Sequence, residues 1–154
     1  MQSPTANAVP WPGLVGFPAL ASHPWAYPAL EVVHIVGIAL LLGNLVLLEL
    51  RVWGRGAELP LAPLAALALK VSLAGFVLVA ASGLLMFSAQ PGELLANRSF
   101  VIKMGLVMLA GTNAAMFHAR DGLKRLDGFA RSQTVLSIGL WIGAIICGRW
   151  IAYI

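Results

Sequence analysis

The amino-acid sequence predicts an all-α protein, a four-helix transmembrane bundle preceded by an N-terminal interfacial arm. Three observations predict it. Of the 154 residues, 60% are hydrophobic and only 10% are charged, whereas an ordinary soluble domain has about 25% charged residues. Such a chain cannot cover itself with polar surface, so most of it must face lipid. The apolar residues also gather in four stretches, each close to the roughly 20 residues that cross a bilayer as a helix. Short segments marked by Gly, Pro and charge separate these stretches.

Residues 1–28 form the arm. They hold Trp11, Phe17, Trp25 and Tyr27, and aromatic clusters beside a span sit at headgroup level. The arm lacks a basic start, and Pro10, Pro12, Pro18, Pro24 and Pro28 interrupt it, so it does not read as a cleavable signal. The bundle occupies residues 29–154. Its spans are expected at about 29–50, 64–89, 100–118 and 134–154. Gln90-Pro91-Gly92-Glu93 ends the second span, and Asn97-Arg98-Ser99 can cap the third. A polar loop, ARDGLKRLDGFARSQ, precedes the fourth.

Basic residues in short loops report orientation. Arg51, Arg55, Arg120, Lys124, Arg125 and Arg131 flank the first and third loops, while the second loop holds only Arg98. The first and third loops are therefore expected in the cytoplasm. Both chain ends then lie on the outer, periplasmic side of a bacterial inner membrane. The net charge of +4 is explained by these loops. No basic run is interleaved with aromatics, so nucleic acid is not an expected partner. The single cysteine, Cys147, excludes an intrachain disulfide.

Helix contacts in lipid favour small residues. Gly139, Gly143 and Cys147 in span four, and Gly75 and Gly83 in span two, are expected to pack within the bundle, with a homo-oligomer contact as the alternative.

Ionisable groups within a membrane are costly, so their depth carries information. Asn44 lies ten residues deeper than His34, and Asn113 ten deeper than Lys103, about 15 Å along a helix. Glu49 and His118 lie five residues deeper again. The polar residues therefore fall in two layers. The outer layer is Glu31, His34, Lys103, Arg149 and Trp150, with His23 available from the arm. The inner layer is Glu49, Arg51, His118 and Arg120, and Asn44 and Asn113 lie between. Glu49 could bridge to Arg51 or His118, and His34 could bond Glu31, three residues earlier.

Three functions suit this pattern. The first is a b-type haem site, with His34 as axial ligand and Lys103 and Arg149 as cations for the propionates. The second axial ligand is open among His23, Met86 and Met104. His118 is excluded by depth, and an inner site would have to be built from His118, Glu49, Asn44 and Asn113. The second function is a non-catalytic accessory subunit, without a cofactor, of a larger membrane assembly of membrane or periplasmic partners. The third is copper handling through His34, His23 and Met86 or Met104. No nucleophile–base pair, phosphate loop or H-E-x-x-H helix occurs, so the chain is not expected to be an enzyme on its own.

Five motifs carry a family resemblance: W-x-Y-P-x-x-E-x-x-H (Trp25 to His34), G-x-x-x-x-x-E-L-R-x-x-G (Gly43 to Gly54), S-G-L-L-M-F (Ser82 to Phe87), F-x-x-K-M (Phe100 to Met104) and G-R-W-I-A-Y (Gly148 to Tyr153). With them the chain resembles an uncharacterised bacterial four-span membrane family, a domain of unknown function. That family usually has Asp where this chain has Glu49. The resemblance implies a four-span bundle and the grouping of Glu31, His34, Lys103 and Arg149; it implies no activity. The architecture is also distantly similar to copper-resistance D and b-type cytochrome membrane proteins.

The orientation is testable in a Cys147→Ser background. Glu93→Cys should react with a membrane-impermeant maleimide on intact cells. Arg55→Cys and Lys124→Cys should react only after the membrane is opened. Labelling of positions 55 and 93 from the same side would overturn the topology.

Overall fold

The computed structural model describes residues 23–153. The first 22 residues of the expected arm lie outside the described residues. Among the described residues six helices follow one another: α1 Ala26–Val52, α2 Leu61–Ala89, α3 Pro91–Ala96, α4 Arg98–Ala119, α5 Gly122–Arg125 and α6 Gly128–Trp150. Four of them, α1, α2, α4 and α6, are long and apolar enough to cross a membrane. Among the described residues there is no strand. The fold is an all-α four-helix bundle.

The helix ends differ from the sequence expectation in instructive ways. α1 begins at Ala26 and takes in Pro28. A proline is tolerated in a first turn because its missing N–H would have no intrahelical partner there. Pro63 sits in the first turn of α2 for the same reason. The fourth span begins at Gly128, well before Thr134, and ends at Trp150. Asp127 sets that start: its Oδ1 accepts a hydrogen bond from the Ala130 N–H at 2.8 Å. Arg131, Ser132 and Gln133 thus belong to the first turns of α6 and not to a loop. Asn97 caps α4 as expected, accepting from the N–H groups of Ser99 at 2.9 Å and Phe100 at 3.3 Å.

The bundle is two antiparallel hairpins, α1 with α2 and α4 with α6, which meet chiefly through α1 and α6. In the first hairpin His34, Gly37 and Leu41 face Ser72, Gly75, Val79 and Ser82. A Cβ on Gly75 would stand 2.7 Å from the Leu41 nitrogen and 2.8 Å from the Gly37 oxygen. The helix backbones therefore touch, and only glycine fits at that crossing. In the second hairpin Leu106 packs on Gly143, Lys103 lies along Gly148, and Asn113 reaches the Gln133 carbonyl.

Burial is inverted relative to a soluble protein. The buried positions are mostly small, among them Ala65, Ala68, Ala110, Ala130, Ala144, Ser72 and Ser82. Large apolar side chains point outward: Leu67 is 65% exposed and Met108 70%. Outward Leu and Met suit lipid, while inward Ala, Ser and Gly let backbones approach.

The hairpins are fastened at both ends. At the end bearing the Arg-rich loops, Trp53 Nε1 donates to Thr134 Oγ1 at 2.9 Å, and Leu48, Ala65 and Ala68 form a small core covered by Leu69 and Leu123. At the other end the Phe87 and Phe100 rings stack 5.6 Å apart, and Asn97 Nδ2 donates to the Ile151 carbonyl at 3.4 Å. Arg51 ties the first loop by donating to the carbonyls of Leu59 and Ala57.

The Gly37–Gly75 crossing gives a direct prediction. Gly75→Leu should destabilise the protein by about 1–3 kcal/mol, the usual cost of overpacking. Gly139→Ala, at a position with no neighbour within 4 Å, should be neutral or slightly stabilising. Equal melting temperatures for the two variants in detergent would contradict the crossing.

Candidate functional site

The structure divides the outer layer. His34 is half-buried between α1 and α2. Its Nδ1 lies 2.9 Å from Ser82 Oγ, and its Cε1 rests 3.3 Å from where a Gly83 Cβ would stand. Ser82 has one hydroxyl hydrogen, which it donates to the Leu78 carbonyl at 2.6 Å. Its oxygen must then accept from His34, so Nδ1 carries the proton and the Nε2 lone pair is left free. The expected Glu31 bond is not made. Glu31 is exposed, and His34 is anchored across the helix pair instead of along its own helix.

Lys103 is half-buried on α4, with its ammonium 3.5 Å from where a Gly148 Cβ would stand. Its stem lies against Gly148. The depth count puts His34 and Lys103 at one level, on helices of different hairpins. The other expected members separate from them. Arg149 donates to the Tyr153 hydroxyl at 2.7 Å and stacks over that ring at 5.0 Å. Trp150 is 56% exposed. Met104 is exposed and Met86 half-buried. His23 is exposed at the head of α1, where its Nδ1 accepts from the Trp25 N–H at 3.4 Å. Among the described residues no three of His, Cys, Asp and Glu gather as a metal site would require.

The inner layer closes around a small cavity of about 50 Å³, lined by Glu49, Asn113, His118, Gln133, Thr134 and Ser137 among apolar neighbours. Glu49 is only 7% exposed and Gln133 only 5%. Glu49 Oε2 and Gln133 Nε2 are buried with no hydrogen-bond partner among the described residues. Ser137 interacts with the Glu49 carboxyl from α6. The predicted Glu49–Arg51 bridge is absent, because Arg51 is turned toward the loop carbonyls. His118 is exposed at the cavity wall, with its ring edge-on to Phe117.

The two asparagines behave differently. Asn113 is buried and donates from Nδ2 to the Gln133 carbonyl of α6 at 2.9 Å. Asn44 instead donates to the Leu40 carbonyl of its own helix at 2.8 Å, so it links no second element.

Three residues of the inner site, and one exposed lysine outside both sites, escaped sequence reading. Gln133, Thr134 and Ser137 were hidden by a helix that starts earlier than its apolar run. Gln133 and Ser137 are four residues apart and share a face, a spacing visible only once Asp127 is recognised as the cap. Lys70, within α2, is exposed on an otherwise apolar face, where its long stem can carry the ammonium toward the headgroups.

Compared with known protein families, with curated proteins and with solved structures, the chain matches none. The site therefore rests on its own geometry.

Asn113→Ala should cost about 1 kcal/mol, the usual size of a hydrogen bond between helices in membranes, whereas Asn44→Ala should cost little. Denaturation in mixed detergent checks this. A larger effect at Asn44 would contradict the assignment of the interhelical bond.

Proposed function

We propose that this protein is a small integral membrane subunit that offers His34 as ligand to a redox cofactor near the outer face of a bacterial inner membrane. The supporting observation is the state of one imidazole. Its Nδ1–H is spent on Ser82, and metal-ligating histidines commonly donate one ring N–H to a second group while the other nitrogen meets the metal. Lys103, which the depth count puts at the same level, would supply a cation of the kind that haem propionates require. Haem b is the favoured cofactor. When bound it would supply one-electron transfer at its iron.

The residues fit one side of a haem only. Of the candidates for a second axial ligand, His23 and Met104 are exposed and Met86 is half-buried. A bis-ligated haem enclosed by this chain alone does not fit. The reading therefore joins cofactor binding to an accessory role: a neighbouring membrane or periplasmic subunit completes the site. His34 holds the ligand nitrogen, Ser82 orients the ring, and Lys103 holds a negative group beside it. The Arg-rich loops then lie in the cytoplasm, with both chain ends on the outer side.

The test is the absorption spectrum of the full chain purified in detergent with its co-purifying subunits. A Soret band that disappears in His34→Ala and weakens in Ser82→Ala supports the proposal. Colourless, metal-free protein, or an unchanged band in His34→Ala, would overturn it.

A further inference from the structure

We infer that Glu49 is a proton-exchanging carboxyl, served by a water-filled chamber that opens through His118 at the end of the bundle bearing the Arg-rich loops. This site is separate from His34 and does not depend on the cofactor proposal.

The inference starts from two orphaned atoms. Glu49 Oε2 needs a donor and Gln133 Nε2 needs an acceptor, and both groups line one cavity. Buried polar atoms without partners are costly. A cation would satisfy the carboxylate but would be repelled by the amide N–H. Water satisfies both, accepting from Gln133 and donating to Glu49. The cavity, at about 50 Å³, exceeds the roughly 10–15 Å³ that one water needs. Asn113 has spent its Nδ2 on the Gln133 carbonyl, which leaves its oxygen to accept from the same water.

No cation is placed to neutralise Glu49 among the described residues. Arg51, on the same helix, is held by loop carbonyls. Arg120 pairs with Asp127 at 3.7 Å and stacks over Phe129. Lys124 pairs with Asp121 at 3.2 Å. Arg131 is exposed on the first turn of α6. From α2 and α5 the cavity receives Leu69 and Leu123. The one titratable group that shares its wall is His118. An unpaired carboxylate within such walls is costly, and taking up a proton removes the charge.

The exchange balances simply. His118 imidazolium gives a proton to the chamber water, which passes a proton to Glu49 Oε2. His118 is left neutral and takes another proton from bulk water. Release runs in reverse.

Infrared spectroscopy of the full chain in liposomes tests this. At neutral pH the wild type should show the C=O stretch of a protonated carboxylic acid that shifts in D₂O. Glu49→Gln should lack it, and Glu49→Asp should retain it. His118→Ala should keep the band but slow its deuterium exchange by about a hundredfold, the low end of what a positioned proton-transfer group contributes. Circular dichroism checks the helix content of each variant. If Glu49→Gln fails to fold, the wild-type and Glu49→Asp bands decide. An ionised Glu49 in folded wild type, a band that survives Glu49→Gln, or unchanged exchange in His118→Ala would overturn the inference.

Discussion

Hydrocarbon gives helices no solvent reason to associate, because a neighbouring lipid tail is as apolar as a neighbouring leucine. What remains is close backbone approach and the few polar bonds that lipid cannot offer. The Gly37–Gly75 contact is the clearest case here, and it fixes the register of the first hairpin. With those two backbones in touch, His34 falls opposite Ser82, and Ser72 opposite the Leu41 carbonyl. The tautomer of His34 is thus a consequence of a glycine contact about one helical turn away.

The two polar layers have different physical characters. Near the outer end, His34 and Lys103 belong to different hairpins, His34 held against Ser82 and Lys103 lying along Gly148. Near the inner end, Glu49, Gln133 and Ser137 are drawn together by the contact between α1 and α6, and Trp53 fastens that contact through Thr134. In the first layer each side chain is held within its own hairpin. The second gathers on one small cavity of about 50 Å³ with exposed His118 in its wall. One chain therefore keeps an anchored histidine and a buried carboxyl at different depths of α1, without a direct path between them among the described residues.

Much of this was legible in the sequence. Composition and the four apolar stretches gave the bundle, and Asn97 gave the start of α4. Depth counting along the helices grouped Glu49 with His118, which line one cavity. What failed was anything that depended on direction around a helix. Arg149 shares a depth with Lys103 but turns to Tyr153. Asn44 and Asn113 share a depth, yet only one points at another helix. An all-apolar helix in lipid has no polar face to announce which side is inward, so orientation is decided by small residues whose signal is faint. Gly37 lay unremarked inside a leucine-rich run for that reason.

The hairpins are not of equal length. α1 and α2 have 27 and 29 residues, whereas α4 and α6 have 22 and 23. At 1.5 Å per residue the longest helix reaches about 43 Å, beyond the roughly 30 Å of hydrocarbon. Lipid beside the first hairpin must stretch, or those helices must lean or emerge, while lipid beside the second can stay near its resting thickness. The bundle thus meets the bilayer unevenly, its longer hairpin on one flank and its shorter on the other.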